Sequence, residues 1–259
     1  MAANAETRDY PQTAAVRGRV EPAPRRVRGF AGGELVFDTV AARYVWEHPY
    51  YPQYYIPLSD VRRELLVDEE HPQKVQLGPS RLYSLVVQGH AERSVVRVFD
   101  SGVDGPVAGT VRFEWASLDW YEEDEPIVGH PRNPYVRVDA LRSHRHVRIG
   151  LDGLVLADTH CPVLLFETGL PTRYYIDRSD VVFDHLQPSP THSLCPYKGV
   201  TSQYWSIRSG DTVVSDIAWA YDYPLADVAP IARMVAFYNE KVDIVVDGVA
   251  LSRPATHFA

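Results

Sequence analysis

The 259-residue chain carries 26 Lys and Arg against 34 Asp and Glu, a formal net charge of −8. That balance argues against a nucleic-acid binder, which needs clustered cations to neutralise phosphates, and no apolar run approaches the roughly eighteen residues of a membrane span. Two cysteines make no disulfide framework and point to a reducing, cytoplasmic setting.

In chain order, residues 1–24 read as a disordered tail without a signal-like apolar stretch. The short basic cluster "PRRVRG" at 24–29 reads as a solvated flank of it. Next comes a repeat. The stretch "VRGFAGGELVFDTVAARYVWEHPYYPQYYIPLSDV" from Val27 lies without a gap over "VRIGLDGLVLADTHCPVLLFETGLPTRYYIDRSDV" from Val147. Asp38 falls on Asp158, Thr39 on Thr159, Glu47 on Glu167, and Tyr54-Tyr55-Ile56 on Tyr174-Tyr175-Ile176. A second correspondence at a shorter offset sets Trp115-Ala116 on Trp219-Ala220 and Pro126-Ile127 on Pro230-Ile231. Two copies of one module follow, 25–141 and 142–259.

Each copy reads as β-rich. Apolar or alternating runs of strand length are separated by Gly-Gly or Asp-Gly turn signals. "YWSIRSGDTVVSDIAWAY" reads as a hairpin about Ser209-Gly210-Asp211. "LADVAPIARMVAFYNEKV", 225–242, reads as a short helix with Pro230 in its first turn. The resulting fold class is all-β with one or two short helices, each module a closed or tent-like sheet. Asp38 and Asp158 read as turn-formers, Tyr55 and Tyr175 as sheet fillers bonded to backbone, and Cys161 as core packing.

"LLFETGLPTRYYIDRSDV", "CPYKGVTSQYWSI" and "HPRNPYVRVDALRSHRHVRI" resemble, in order, the two-copy proteins of the family of domain of unknown function 427. The resemblance covers nearly everything after about residue 24. It implies a β-tent fold. Many tent proteins hold zinc with four cysteines; no Cys-x-x-Cys pair occurs here, so that metal site is not expected.

The copies diverge at the loop around Cys195. Against "SLCPYKGVTSQYWSI" the first copy offers "QLGPSRLYSLVV", with Gly78 for Cys195 and Arg81 for Lys198. A thiol beside an ammonium is favoured as thiolate. The second copy is therefore expected to bear the site and the first to be degenerate. Cys195, Lys198 and Glu167 are the candidate catalytic residues; Arg173, Tyr175, Tyr197, Tyr204 and Trp219 are the candidate ligand walls. Two function classes compete: non-covalent binding of a small polar or anionic molecule, and thiol chemistry at Cys195. An interaction scaffold stands as a third. His192-x-x-Cys195 lacks a second half for a metal site, and no cofactor fingerprint is found.

Overall fold

In the computed structural model, residues 16–102, 105–209 and 212–256 are described. They are mostly β and divide into two compact units, meeting between Asn133 and Pro134. Strands of the first unit are β1 (Val20–Pro22), β2 (Val27–Ala31), β3 (Glu34–Thr39), β4 (Arg43–Val45), β5 (Gln53–Pro57), β6 (Leu66–Val75), β7 (Gly78–Val87), β8 (His90–Phe99), β9 (Thr110–Phe113), β10 (Asp119–Glu122) and β11 (Glu125–Pro126). Those of the second are β12 (Val138–Arg142), β13 (Val147–Leu151), β14 (Leu154–Thr159), β15 (Val163–Glu167), β16 (Arg173–Ile176), β17 (Leu186–Ser189), β18 (Leu194–Cys195), β19 (Gly199–Val200), β20 (Gln203–Ser209), β21 (Thr212–Ala220), β22 (Val235–Phe237), β23 (Asp243–Val246) and β24 (Val249–Ala250).

The topology of the two larger sheets repeats strand for strand, and the second unit adds the small hairpin β18–β19. A seven-stranded sheet runs β1-β4-β5-β9-β8-β7-β6 in the first unit and β12-β15-β16-β22-β21-β20-β17 in the second. A four-stranded sheet runs β11-β10-β2-β3 and β14-β13-β23-β24. Pairing is antiparallel throughout, and the long sheets are open rather than closed into barrels. Hairpins open each copy: β2–β3 turns at Gly32-Gly33 and β13–β14 at Asp152-Gly153, all four residues with φ between 50° and 84°. That is the paired left-handed geometry a two-residue turn needs, and it explains why Asp-Gly and Gly-Gly sit there.

Alternation decides which side is core. In the second unit Val147, Ile149 and Leu151 of β13 point inward and pack with Ile176, Ile207, Ala218 and Phe237 of the long sheet. The opposite face of that sheet carries a separate cluster: Leu165, Tyr175, Tyr204, Trp219, Tyr221 and Ala236, covered by Val228 and Ile231. The long sheet is thus buried on both faces, and the outer one collects tyrosine and tryptophan.

Several expectations are corrected. Val20–Pro22, placed in the disordered tail, is an edge strand on β4; residues 1–15 lie outside the described residues. The unit boundary moves from 141 to 133 because β12 is the edge strand of the second unit's sheet, as β1 is of the first. The 225–242 helix reduces to a 3-10 segment, Ala226–Ile231, kinked at Val228, followed by β22. The hairpin is present as β20–β21, with its turn at 210–211 outside the described residues. Asp38 and Asp158 do not form the turns after β3 and β14. Thr39 and Thr159 do, each accepting from the amide two residues on (Ala41 at 2.9 Å, Cys161 at 3.1 Å) and donating to Asp60 or Asp180. The aspartates instead face Arg26 and His146. Cys161 sits in that turn, past the end of the strand, and is exposed rather than core.

The second correspondence is also overturned. Ile56 faces Val111 and Ile176 faces Val235, so Val111 and Val235 are equivalent. Trp115 then matches Asn239, and Trp219 matches Arg97, since Val96 and Ala218 face the equivalent residues Phe113 and Phe237. Trp115 belongs to the first unit's inter-sheet packing, stacked on Trp120 at 4.8 Å. Among the described residues, no helix is long and apolar enough to cross a membrane.

Candidate functional site

The outer face of the second long sheet is organised along one row. Tyr175 faces Ala236, Ala236 faces Trp219, and Trp219 faces Tyr204, across β16, β22, β21 and β20. Directly opposed residues on antiparallel strands share a face. Ala236 is the small member, and over it the Trp219 indole Nε1 donates to the Tyr175 hydroxyl at 3.2 Å. Tyr175 is fully buried, and burial pushes its hydroxyl up to about 12, with Lys198 pulling the other way. Its expected backbone partner is replaced by this ring-to-ring bond.

Onto this row the chain lowers a loop. After Ser189 the β17–β20 ladder ends, and residues 190–202 form a separate small hairpin, β18–β19, turning through Pro196, Tyr197 and Lys198. The Lys198 amide closes the turn on the Cys195 carbonyl at 3.3 Å. Ser193 and Thr201 brace the base, with Ser193 Oγ 2.8 Å from the Tyr204 hydroxyl. The turn sends the Lys198 side chain inward to Glu167, the last residue of β15, at 2.5 Å. Their side chains are only 12% and 9% exposed.

Two charges this far out of water cost several kcal/mol each to desolvate, so each requires the other. Burial pulls the Lys198 value down; the Glu167 carboxylate outweighs it and holds the ammonium above the ordinary lysine value. Cys195 and Tyr221 complete the surroundings. Cys195 is within electrostatic reach of Lys198, Tyr175 and Tyr221, and burial keeps the Tyr221 hydroxyl well above its ordinary value. The ammonium is committed to the carboxylate, however, and the Cys195 thiol makes no hydrogen bond among the described residues. At the end of β15 lies a shallow depression of about 250 Å³, lined by Arg137, Asp139, Phe166, Glu167, Thr168, Leu170 and Thr172; Asp139 and Phe166, directly opposed on β12 and β15, belong to the face away from the Glu167 side chain. Arg137 and Asp139 pair with each other there at 2.8 Å.

Of the residues expected from sequence, the structure brings Glu167, Tyr175, Cys195, Lys198, Tyr204 and Trp219 together. Tyr197 is half-buried at the turn. Arg173 is expected as a cationic ligand-binding residue. It is instead clamped to Glu240 by two bonds, at 2.6 and 2.8 Å, and to Asn239 at 3.0 Å, behind the Trp219 and Tyr238 rings. Tyr221, Tyr238, Asn239 and Glu240 escaped sequence reasoning. Tyr221 directly follows β21, two residues after Trp219, and that continued alternation was the available signal.

The first copy is not a plain loss of this site. Glu47 stands where Glu167 does and Tyr55 where Tyr175 does; the Tyr55 hydroxyl donates to Glu47 at 2.8 Å, and Arg112 Nε donates to it at 3.2 Å. Arg112 is the structural equivalent of Ala236. The retained cation therefore comes from the sheet itself. Arg81, expected in that part, is an exposed residue paired with Asp68. By the register Leu66–Leu85 against Leu186–Ile207 it matches Gln203, not Lys198.

No group of three or more metal-ligating side chains gathers among the described residues. A family model described as a domain of unknown function (DUF427) matches residues 19–124 and again residues 139–248. No curated protein matches the chain.

Proposed function

The chain belongs to the DUF427 family as two tandem copies, and on that footing we propose that the second copy binds a small polar molecule at Glu167 and Lys198. One observation carries this reading: a nearly buried carboxylate–ammonium pair, walled by Tyr175, Tyr204, Trp219 and Tyr221. Small-molecule sites have this composition, aromatic walls and few convergent polar groups. The charges of the pair are balanced, Glu167 by Lys198. A net-neutral ligand offering both a donor and an acceptor suits them better than a bare anion, because an anion would compete with Glu167 for a single ammonium.

Thermal-shift measurement against a panel of polar, net-neutral metabolites tests this. At a hundred times its Kd a true ligand stabilises by about 2.7 kcal/mol, raising the melting temperature by about 5 °C. That shift is expected to vanish in Glu167→Gln and to survive in Glu47→Gln. A shift of equal size in Glu167→Gln would remove the proposal.

Thiol chemistry is the second reading, favoured by the partly exposed Cys195 beside Lys198, Tyr175 and Tyr221. Its test is iodoacetamide alkylation of the native protein, followed by peptide mass spectrometry. Cys161, exposed in a turn, sets the rate of an ordinary thiol. A reactive Cys195 is expected to be modified faster than Cys161 below pH 8 and to slow in Lys198→Met. Slower modification than Cys161 at every pH leaves non-covalent binding.

A further inference from the structure

The row that is aromatic in the second copy is cationic in the first. Arg97 faces Arg112 directly across β8 and β9, and Leu82 faces Arg97 across β7 and β8. These positions answer to Trp219, Ala236 and Tyr204. Like charges directly opposite on a sheet destabilise it, so two guanidiniums in register call for compensation. Arg112 has it: Nε donates to Glu47 and Nη1 to Glu114. Arg97 has no carboxylate among the described residues. Its Nη2 donates to the neutral Gln73 Oε1 at 3.1 Å, while its Nε is buried and bonded to nothing.

A buried N–H left without an acceptor costs about 1–3 kcal/mol, more on a charged group. Among the described residues, Nε and Nη1 of Arg97 and Nη2 of Arg112, on adjacent strands, have no acceptor. Tyr55 and Arg112 hold the Oε1 of Glu47. Arg97 is half-buried as a residue, with its Nε shut off from water. Both arginines lie near enough to the Tyr55 hydroxyl to act on it electrostatically.

We infer that the first copy holds an oxyanion site built on Arg97 and Arg112, taking a phosphate or carboxylate group of a small molecule. Planar guanidiniums match such oxygens two at a time, which a lysine does not. The first copy is then a second site of opposite preference, independent of the Glu167–Lys198 site.

Isothermal titration of the full-length protein with inorganic phosphate, and separately with succinate, at constant ionic strength tests it and tells the two oxyanions apart. One or both are expected to bind. Arg97→Gln is expected to weaken binding about ten- to a hundredfold, the equivalent of a charge-assisted bond. Arg97→Lys, which keeps the charge and the fold but loses the fork, is expected to weaken it by a smaller factor. Glu167→Gln and the surface change Arg63→Gln leave it unaltered. Absence of binding by both anions, or unchanged affinity in folded Arg97→Gln or in Arg97→Lys, overturns the inference. The Glu167→Gln arm keeps its failure distinct from failure of the second-copy proposal.

Discussion

Lys198→Met is expected to destabilise the protein by about 3 kcal/mol at pH 7, the largest loss from any single change at the site. The substitution keeps much of the side-chain volume but strands the Glu167 carboxylate, 9% exposed, without its ammonium. Removing one partner of a buried pair costs about 3–5 kcal/mol, more than the pair contributes net, because an uncompensated charge remains. The double change Lys198→Met, Glu167→Gln is therefore expected to recover most of the loss. The sign with pH follows from the raised Lys198 value. A group whose folded pKa lies above its unfolded one gives its full stabilisation below the unfolded value, about 10.4 for lysine. The contribution is thus intact at pH 7 and disappears only as pH climbs through the folded value. Urea denaturation of the three proteins at pH 7 measures this. A single mutant within 1 kcal/mol of wild type would mean that water reaches Glu167 freely.

Arg173→Met is expected to rank second, at about 3 kcal/mol or slightly less, and to change the acid limb of stability. Its partner Glu240 has a side chain 1% exposed, bonded to two guanidinium nitrogens and to Thr256 Oγ1. Burial pushes the Glu240 carboxyl up, but the Arg173 bonds and charge outweigh it and hold it below the ordinary value. A depressed folded pKa gives stability that is present above the unfolded value, about 4.3, and is lost as pH falls through the folded one. Wild type should accordingly lose this contribution between about pH 5 and the folded value. In Arg173→Met the depression is gone, and burial alone makes Glu240 prefer its neutral form. The deficit relative to wild type is then greatest at neutral pH and shrinks on acidification. Guanidinium chloride melts at pH 7 and pH 4 check it; a deficit constant across that range would contradict the ion-pair origin.

How much was legible from sequence varies along the chain for physical reasons. From Val27 to Leu66 the copies keep one spacing because the paired turns, the Thr39–Asp60 and Thr159–Asp180 staples and the first strands of the long sheet leave no room for insertion. There Glu47, Glu167, Tyr55 and Tyr175 fell into place. Beyond it, loops of different length intervene, and an ungapped comparison locked onto chance matches such as Trp115 with Trp219. Strand register, which joins residues distant in sequence, was needed to find that Ala236 answers to Arg112 and Trp219 to Arg97. The cation of the second copy was legible because Lys198 lies only three residues after Cys195 in the chain. That of the first was not, because it arrives on another strand. Arg173 was misassigned for the same reason: Glu240, which consumes its charge, is 67 residues away.

Mass spectrometry of the small molecules released on denaturing the purified native protein bears most directly on the second-copy site. A polar, net-neutral compound approaching one per chain is expected from the wild type and from Glu47→Gln, and only traces from Glu167→Gln. The same compounds in the same amounts from Glu167→Gln, or none from any of the three when metabolites are resupplied, would contradict a ligand bound at the Glu167–Lys198 pair.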